Sequence, residues 1–81
     1  MKLKGIKAAA GELKESKYAR IYVNIQTGEV IAMTYIDSSS FSTFNDESIY
    51  EVCRYNYRYN NPTMAWIKEQ VEQKLFELGI Q

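Results

Sequence analysis

Ala19-Arg20-Ile21-Tyr22-Val23-Asn24-Ile25-Gln26-Thr27-Gly28-Glu29-Val30 is the stretch on which the fold turns. Ala19, Ile21, Val23 and Ile25 alternate with Arg20, Tyr22 and Asn24, the period of a strand with one buried face. Gln26-Thr27-Gly28-Glu29 supplies a turn, with Gly28 free to take the positive φ that a short hairpin loop needs. Residues 30–37 are rich in β-formers and are expected to return antiparallel. This reading makes Tyr22 an outward residue.

Elements on either side follow from their own periodicities. Leu3, Ile6, Ala10 and Leu13 repeat at helical spacing, which predicts a helix over residues 3–16 that Ser16 and Lys17 end. Gly11 weakens it by roughly 1 kcal/mol. Residues 38–46 have loop composition, with Phe41 and Phe44 set among serines. A third strand is expected over residues 47–57. Asn60-Asn61-Pro62 then breaks the chain, with Asn61 expected as N-cap and Pro62 as the first helical residue. Met64, Ile67, Val71, Leu75 and Leu78 form the apolar stripe of the closing helix. Gly79 sits where a left-handed residue would stop it, and Ile80 can fold back on Leu75. The order α-β-β-β-α predicts one α+β domain over residues 1–81, a three-stranded antiparallel meander packed by two helices.

Composition narrows the functional classes. Hydrophobic content of 46% and charged content of 25% are ordinary for a globular chain and argue against disorder. Eighty-one residues bury only about 60 to 65% of their unfolded surface, so stability is expected to be a few kcal/mol. The longest apolar run is far short of a membrane span, and the basic N-terminus lacks a signal-type apolar region, so the chain is read as cytoplasmic. Histidine is absent and Cys53 is the single cysteine. That excludes an internal disulfide, Ser–His or Cys–His catalysis and a His-containing zinc site. Net charge is zero. Yet residues 1–20 carry six bases against two acids, and residues 21–53 carry five acids and no base. That is not the footprint of a duplex-DNA binder.

One segment has the composition of a contact surface. In Cys53-Arg54-Tyr55-Asn56-Tyr57-Arg58-Tyr59 the tyrosines share one face if the strand is extended, and Arg54, Asn56 and Arg58 share the other. Tyr and Arg dominate binding interfaces. The candidate binding residues are therefore Arg54, Tyr55, Tyr57, Arg58 and Tyr59, with Phe41 and Phe44 as loop contacts. The competing reading packs the tyrosines on the helices, since Tyr is a good strand former. Other features have plainer readings. Asp46, Glu47 and Glu51 lack a metal-ligand spacing, and Asp37 with Glu47 is a weak carboxylate pair. Trp66 is expected to seal the core, and Cys53 to be a small buried hydrophobe. Lys2, Lys4, Lys7, Lys14 and Lys17 are expected to form a solvated face, with weak phosphate contact the alternative.

The element order is similar to that of double-stranded RNA-binding domains, but residues 62–70 offer only Lys68 where that family has a basic cluster. The Lys/Glu/Asn/Ile/Tyr-rich usage, with Lys17-Tyr18-Ala19-Arg20-Ile21-Tyr22 leading into Thr27-Gly28-Glu29-Val30, resembles small proteins of phages and mobile elements, anti-CRISPR proteins among them. The resemblance implies a non-catalytic protein that binds a host protein or nucleoprotein complex in the host cytoplasm and blocks it, with no cofactor and no metal. The alternative is a weak single-stranded nucleic-acid binder, the tyrosines stacking and the N-terminal lysines meeting phosphates. An enzyme is the third reading, and a homodimer through a sheet edge the fourth.

Overall fold

The computed structural model describes residues 1–34 and 46–80. The order is α1 (Ile6–Lys14), β1 (Tyr18–Asn24), β2 (Val30–Thr34), β3 (Ile49–Asn56) and α2 (Met64–Glu77). The chain is an α+β fold with the expected α-β-β-β-α order. The sheet, however, is not a meander. Its strand order is β2-β1-β3, with β1 antiparallel to both neighbours. A meander would place β2 in the middle. The central strand β1 is the one buried on both faces, with Ala19, Ile21 and Val23 on one and Tyr22 on the other. Tyr22 lies on the face opposite Ile21, as expected, and is buried there.

The β1–β2 turn is held by Asn24, whose side-chain oxygen accepts from the Gln26 and Thr27 amides at 2.9 and 3.2 Å. Its carbonyl accepts from the Gly28 amide at 2.8 Å. Gly28 takes φ 81°, the left-handed conformation that costs glycine no Cβ clash. The N-terminal segment then lies along the hairpin. The Lys4 amide donates to the Gly28 carbonyl at 3.0 Å, and the Val30 amide donates to the Lys4 carbonyl at 2.8 Å. This contact delays α1, which starts at Ile6 and not at residue 3.

α1 buries Ala9, Ala10 and Leu13, and α2 buries Ile67, Val71 and Leu75. α1 lies along β2, α2 lies along β3, and the two helices meet over the Ile21 face of the sheet. The cap of α2 corrects the sequence reading. Thr63, not Asn61, is the N-cap, its hydroxyl accepting from the Trp66 amide at 3.1 Å, so Pro62 lies outside the helix. The C-terminal stop is as expected. Gly79 has φ 75°, and the Ile80 and Gly79 amides donate to the Leu75 and Phe76 carbonyls at 2.9 and 3.0 Å. That pair of bonds is a Schellman motif.

One irregularity shapes β3. Ile21 pairs with Cys53 but Tyr22 pairs with Glu51. Val52 is thus an extra residue, a β-bulge that inverts the alternation on its two sides.

Candidate functional site

The tyrosine row divides where the strand ends. Tyr55 pairs with Ala19 on the helix-covered face and is only 4% exposed. Its ring stands edge-on to Trp66, with centroids 6.0 Å apart and an interplanar angle of 66°. Tyr55 therefore belongs to the core, which removes it from the expected contact residues. Trp66 packs there as anticipated.

Beyond Asn56 the chain turns, and the two tyrosines that follow emerge into solvent. Tyr57 is 43% exposed and Tyr59 80%. A reciprocal asparagine lock makes this turn. The Asn56 amide donates to the Asn60 side chain at 2.9 Å, and the Asn60 amide donates to the Asn56 carbonyl at the same distance. The Asn56 side-chain oxygen also accepts from the Arg58 amide at 3.0 Å. Such side-chain bonds to nearby backbone are what favour Asn in turns.

The start of β1 is drawn in by one further backbone bond, from the Tyr57 amide to the Lys17 carbonyl at 2.9 Å. Tyr18 and Tyr57 then meet edge to face, with centroids 6.2 Å apart. The Lys17 ammonium lies 5.9 Å from the Tyr57 ring centroid and the Arg58 guanidinium 5.7 Å, both within cation–π range. Arg58 Nε also donates to the Tyr57 hydroxyl at 3.2 Å. The result is a small cationic and aromatic knob at one end of the sheet. Nothing in the sequence joins Lys17 and Tyr18 to Tyr57, because they sit about forty positions away in the chain. Only the β1–β3 register, which the sequence does not state, makes them neighbours.

Arg54 lies on the sheet face away from the helices, opposite Arg20. Its Nε meets Glu51 Oε1 at 3.2 Å. Facing like charges across strands are unfavourable, and Glu51 offsets the Arg54 charge. Phe41, Phe44 and Asp37 lie outside the described residues. Asp46 has a structural task, its carboxylate accepting from the Ser48 amide at 2.8 Å. Among the described residues no three His, Cys, Asp or Glu side chains converge as metal ligands. No helix among them is long and apolar enough to cross a membrane. Depressions along α2 past Phe76, between α1 and β2, and beside the N-terminal segment are lined by no tyrosine.

Cys53 is half-buried, and burial, followed by the nearby Glu51 charge, pushes its thiol from 9.0 up to about 11. At pH 8 the folded chain should therefore react with iodoacetamide about a hundredfold more slowly than the unfolded chain, the ratio of their thiolate fractions. Because the folded value is the higher one, the folded chain holds the thiol proton more tightly. Stability is thus unaffected by this group below pH 9.0 and declines as pH rises toward about 11. Equal alkylation rates in buffer and in denaturant would contradict this account of the site.

Comparison with family models, curated proteins and solved structures finds no match.

Proposed function

We propose that this chain is a non-catalytic binding module that docks on a protein partner through Tyr57, Arg58 and Tyr59, flanked by Lys17 and Tyr18. The observation that carries this reading is the exposure of Tyr57 and Tyr59 on a turn already locked by the Asn56–Asn60 bonds. A preorganised aromatic surface loses little entropy on binding, and Tyr and Arg are the usual anchors of interfaces. Lys17 and Arg58 give the knob positive charge, so the complementary partner surface is acidic.

A protein partner is favoured over a single strand by the surroundings of Tyr57. Stacking a base needs a free ring face, and two cations lie within 6 Å of this ring. That leaves Tyr59 as the open platform, whereas a strand-binding surface stacks successive bases on successive rings. The resemblance to phage and mobile-element proteins supports a host defence complex of the CRISPR type as the partner, with steric blocking as the mechanism.

The test is capture from a bacterial lysate with the wild-type chain and with the Tyr57→Ala/Tyr59→Ala double variant. Truncating two anchors should weaken capture by more than about 30-fold, the equivalent of one strong hot spot, while the variant stays folded by circular dichroism. Unchanged capture by the folded variant would overturn the proposal. In a parallel titration with a thymidine oligonucleotide, tight binding that falls steeply with salt would select the nucleic-acid alternative instead. Adding the chain to a purified CRISPR-type nuclease complex tests inhibition separately, and undiminished cleavage would remove that part.

A further inference from the structure

Among the described residues the outer side of β3 is an open sheet edge, and its pattern is complementary to itself. Among the described residues no strand pairs with β3 except β1. Edges of this kind present unpaired amides and carbonyls that template another strand. A bulge ordinarily blunts them, because it inverts the two faces partway along. In β3, Tyr50 and Tyr55 lie on the helix side, with Ala19 and Val23, whereas Ile49, Glu51, Arg54 and Asn56 lie on the open side.

One antiparallel register restores agreement of the faces from Tyr50 to Tyr55. It sets Tyr50 opposite Tyr55, Glu51 opposite Arg54 and Val52 opposite Cys53 of a second β3, with Asn56 outside the pairing because its amide and carbonyl are bonded to Asn60. The two-fold axis then passes through the bulge, so that bulge meets bulge. A shift of one residue would set Tyr50 against Arg54, crossing the faces. A shift of two would set Glu51 against Val52 or Arg54 against Cys53, with the same fault. The matched register is also the one in which charge is complementary. Glu51 and Arg54 already attract each other within one chain at 3.2 Å, with side chains 40% and 66% exposed. In the paired strands each carboxylate lies directly opposite the guanidinium of the other copy, at the spacing where cross-strand ion pairs are favourable.

We infer that β3 of this chain pairs antiparallel with β3 of a second copy, forming a six-stranded sheet about a two-fold axis between Val52 and Cys53. The interface is isologous, so it closes as a dimer and does not extend into a fibre. Main-chain bonds supply most of the attraction, and the two Glu51–Arg54 contacts set the register. The bound copies carry their tyrosine knobs at opposite ends of the joined sheet. The inference is independent of what those knobs bind.

Sedimentation equilibrium over a dilution series tests this. A mass rising toward twice the monomer's with concentration is the expected result for the wild-type chain. Arg54→Glu and Glu51→Arg should each remain monomeric, by setting like charges opposite each other. The double exchange Glu51→Arg/Arg54→Glu should recover the dimer, a rescue that loss of folding cannot imitate. Tyr57→Ala/Tyr59→Ala should dimerise like the wild type, which separates this surface from the proposed partner surface. A wild-type chain that is monomeric throughout, a dimer indifferent to either single reversal, or a double exchange that fails to recover would each overturn the inference.

Discussion

Replacing Tyr55 with alanine should remove about 3 to 5 kcal/mol of the domain's stability, whereas the same change at Tyr59 should leave the melting temperature nearly unmoved. Tyr55 is enclosed between β1 and α2, with Ala19 across the ladder and Trp66 against its ring edge. Truncating a buried aromatic costs about 3 to 5 kcal/mol in lost transfer energy and cavity, and the edge-on aromatic contact is lost with it. An 81-residue domain has roughly 4 to 12 kcal/mol in total. At about 4 to 8 °C per kcal/mol, the midpoint should fall by more than about 12 °C. Tyr59, at 80% exposure, should change stability by no more than about 0.5 kcal/mol. Thermal melts followed by circular dichroism read both values. Similar melting temperatures for the two variants would mean that the division of the tyrosine row between core and surface is wrong.

Gly28→Ala should be nearly as damaging, although it removes no contact and deletes no atom. At φ 81° a side chain is strained in any surroundings. A methyl group here would also overlap the Lys2 carbonyl, which is backbone and cannot rotate aside. To make room, the N-terminal segment must lift off the hairpin, with loss of the Lys4 bonds to Gly28 and Val30. Left-handed strain of about 1 to 3 kcal/mol and two backbone bonds of about 1 kcal/mol each give a loss of about 3 to 5 kcal/mol. Gly79→Ala is the comparison. It has a similar φ of 75° but nothing within 4 Å of an added Cβ, so it should show the strain alone. Gly5, with φ 84° and the Val30 carbonyl 2.8 Å from a built Cβ, should follow Gly28. If Gly28→Ala and Gly79→Ala melt together, the close approach of residues 1–4 to the turn contributes nothing.

The site was half legible. Arg58, Tyr57 and Tyr59 stand out by residue type, and the structure does expose them. Tyr55 shares that type and alternates with them, yet it is core. Strand periodicity predicts which residues share a face, but it assumes that the strand continues. Here Asn56 and Asn60 end it at Asn56, and a turn follows no period of two. The lock was written in the sequence as a pair of asparagines four apart. The same letters equally fit a break before Pro62, because asparagine also serves helix starts. Thr63 took that role because its hydroxyl is three residues from the Trp66 amide, the distance a cap requires.

By itself the sequence determined the α-β-β-β-α order, the β1–β2 hairpin, the apolar stripe of α2 and its stop at Gly79. Each of these depends on dihedral preferences and spacings within a few residues, so neighbouring letters suffice. Only the tertiary structure decided that β1 is central, that Tyr22 and Tyr55 are buried, and that Lys17 and Tyr18 join the Tyr57 knob. Those outcomes rest on pairings between distant segments, and one extra residue at Val52 is enough to exchange the faces of half a strand. Closing a long loop costs only slightly more than closing a short one. Competing strand orders therefore differ mainly in how much apolar surface they bury together, a property of the assembled core that no local stretch contains.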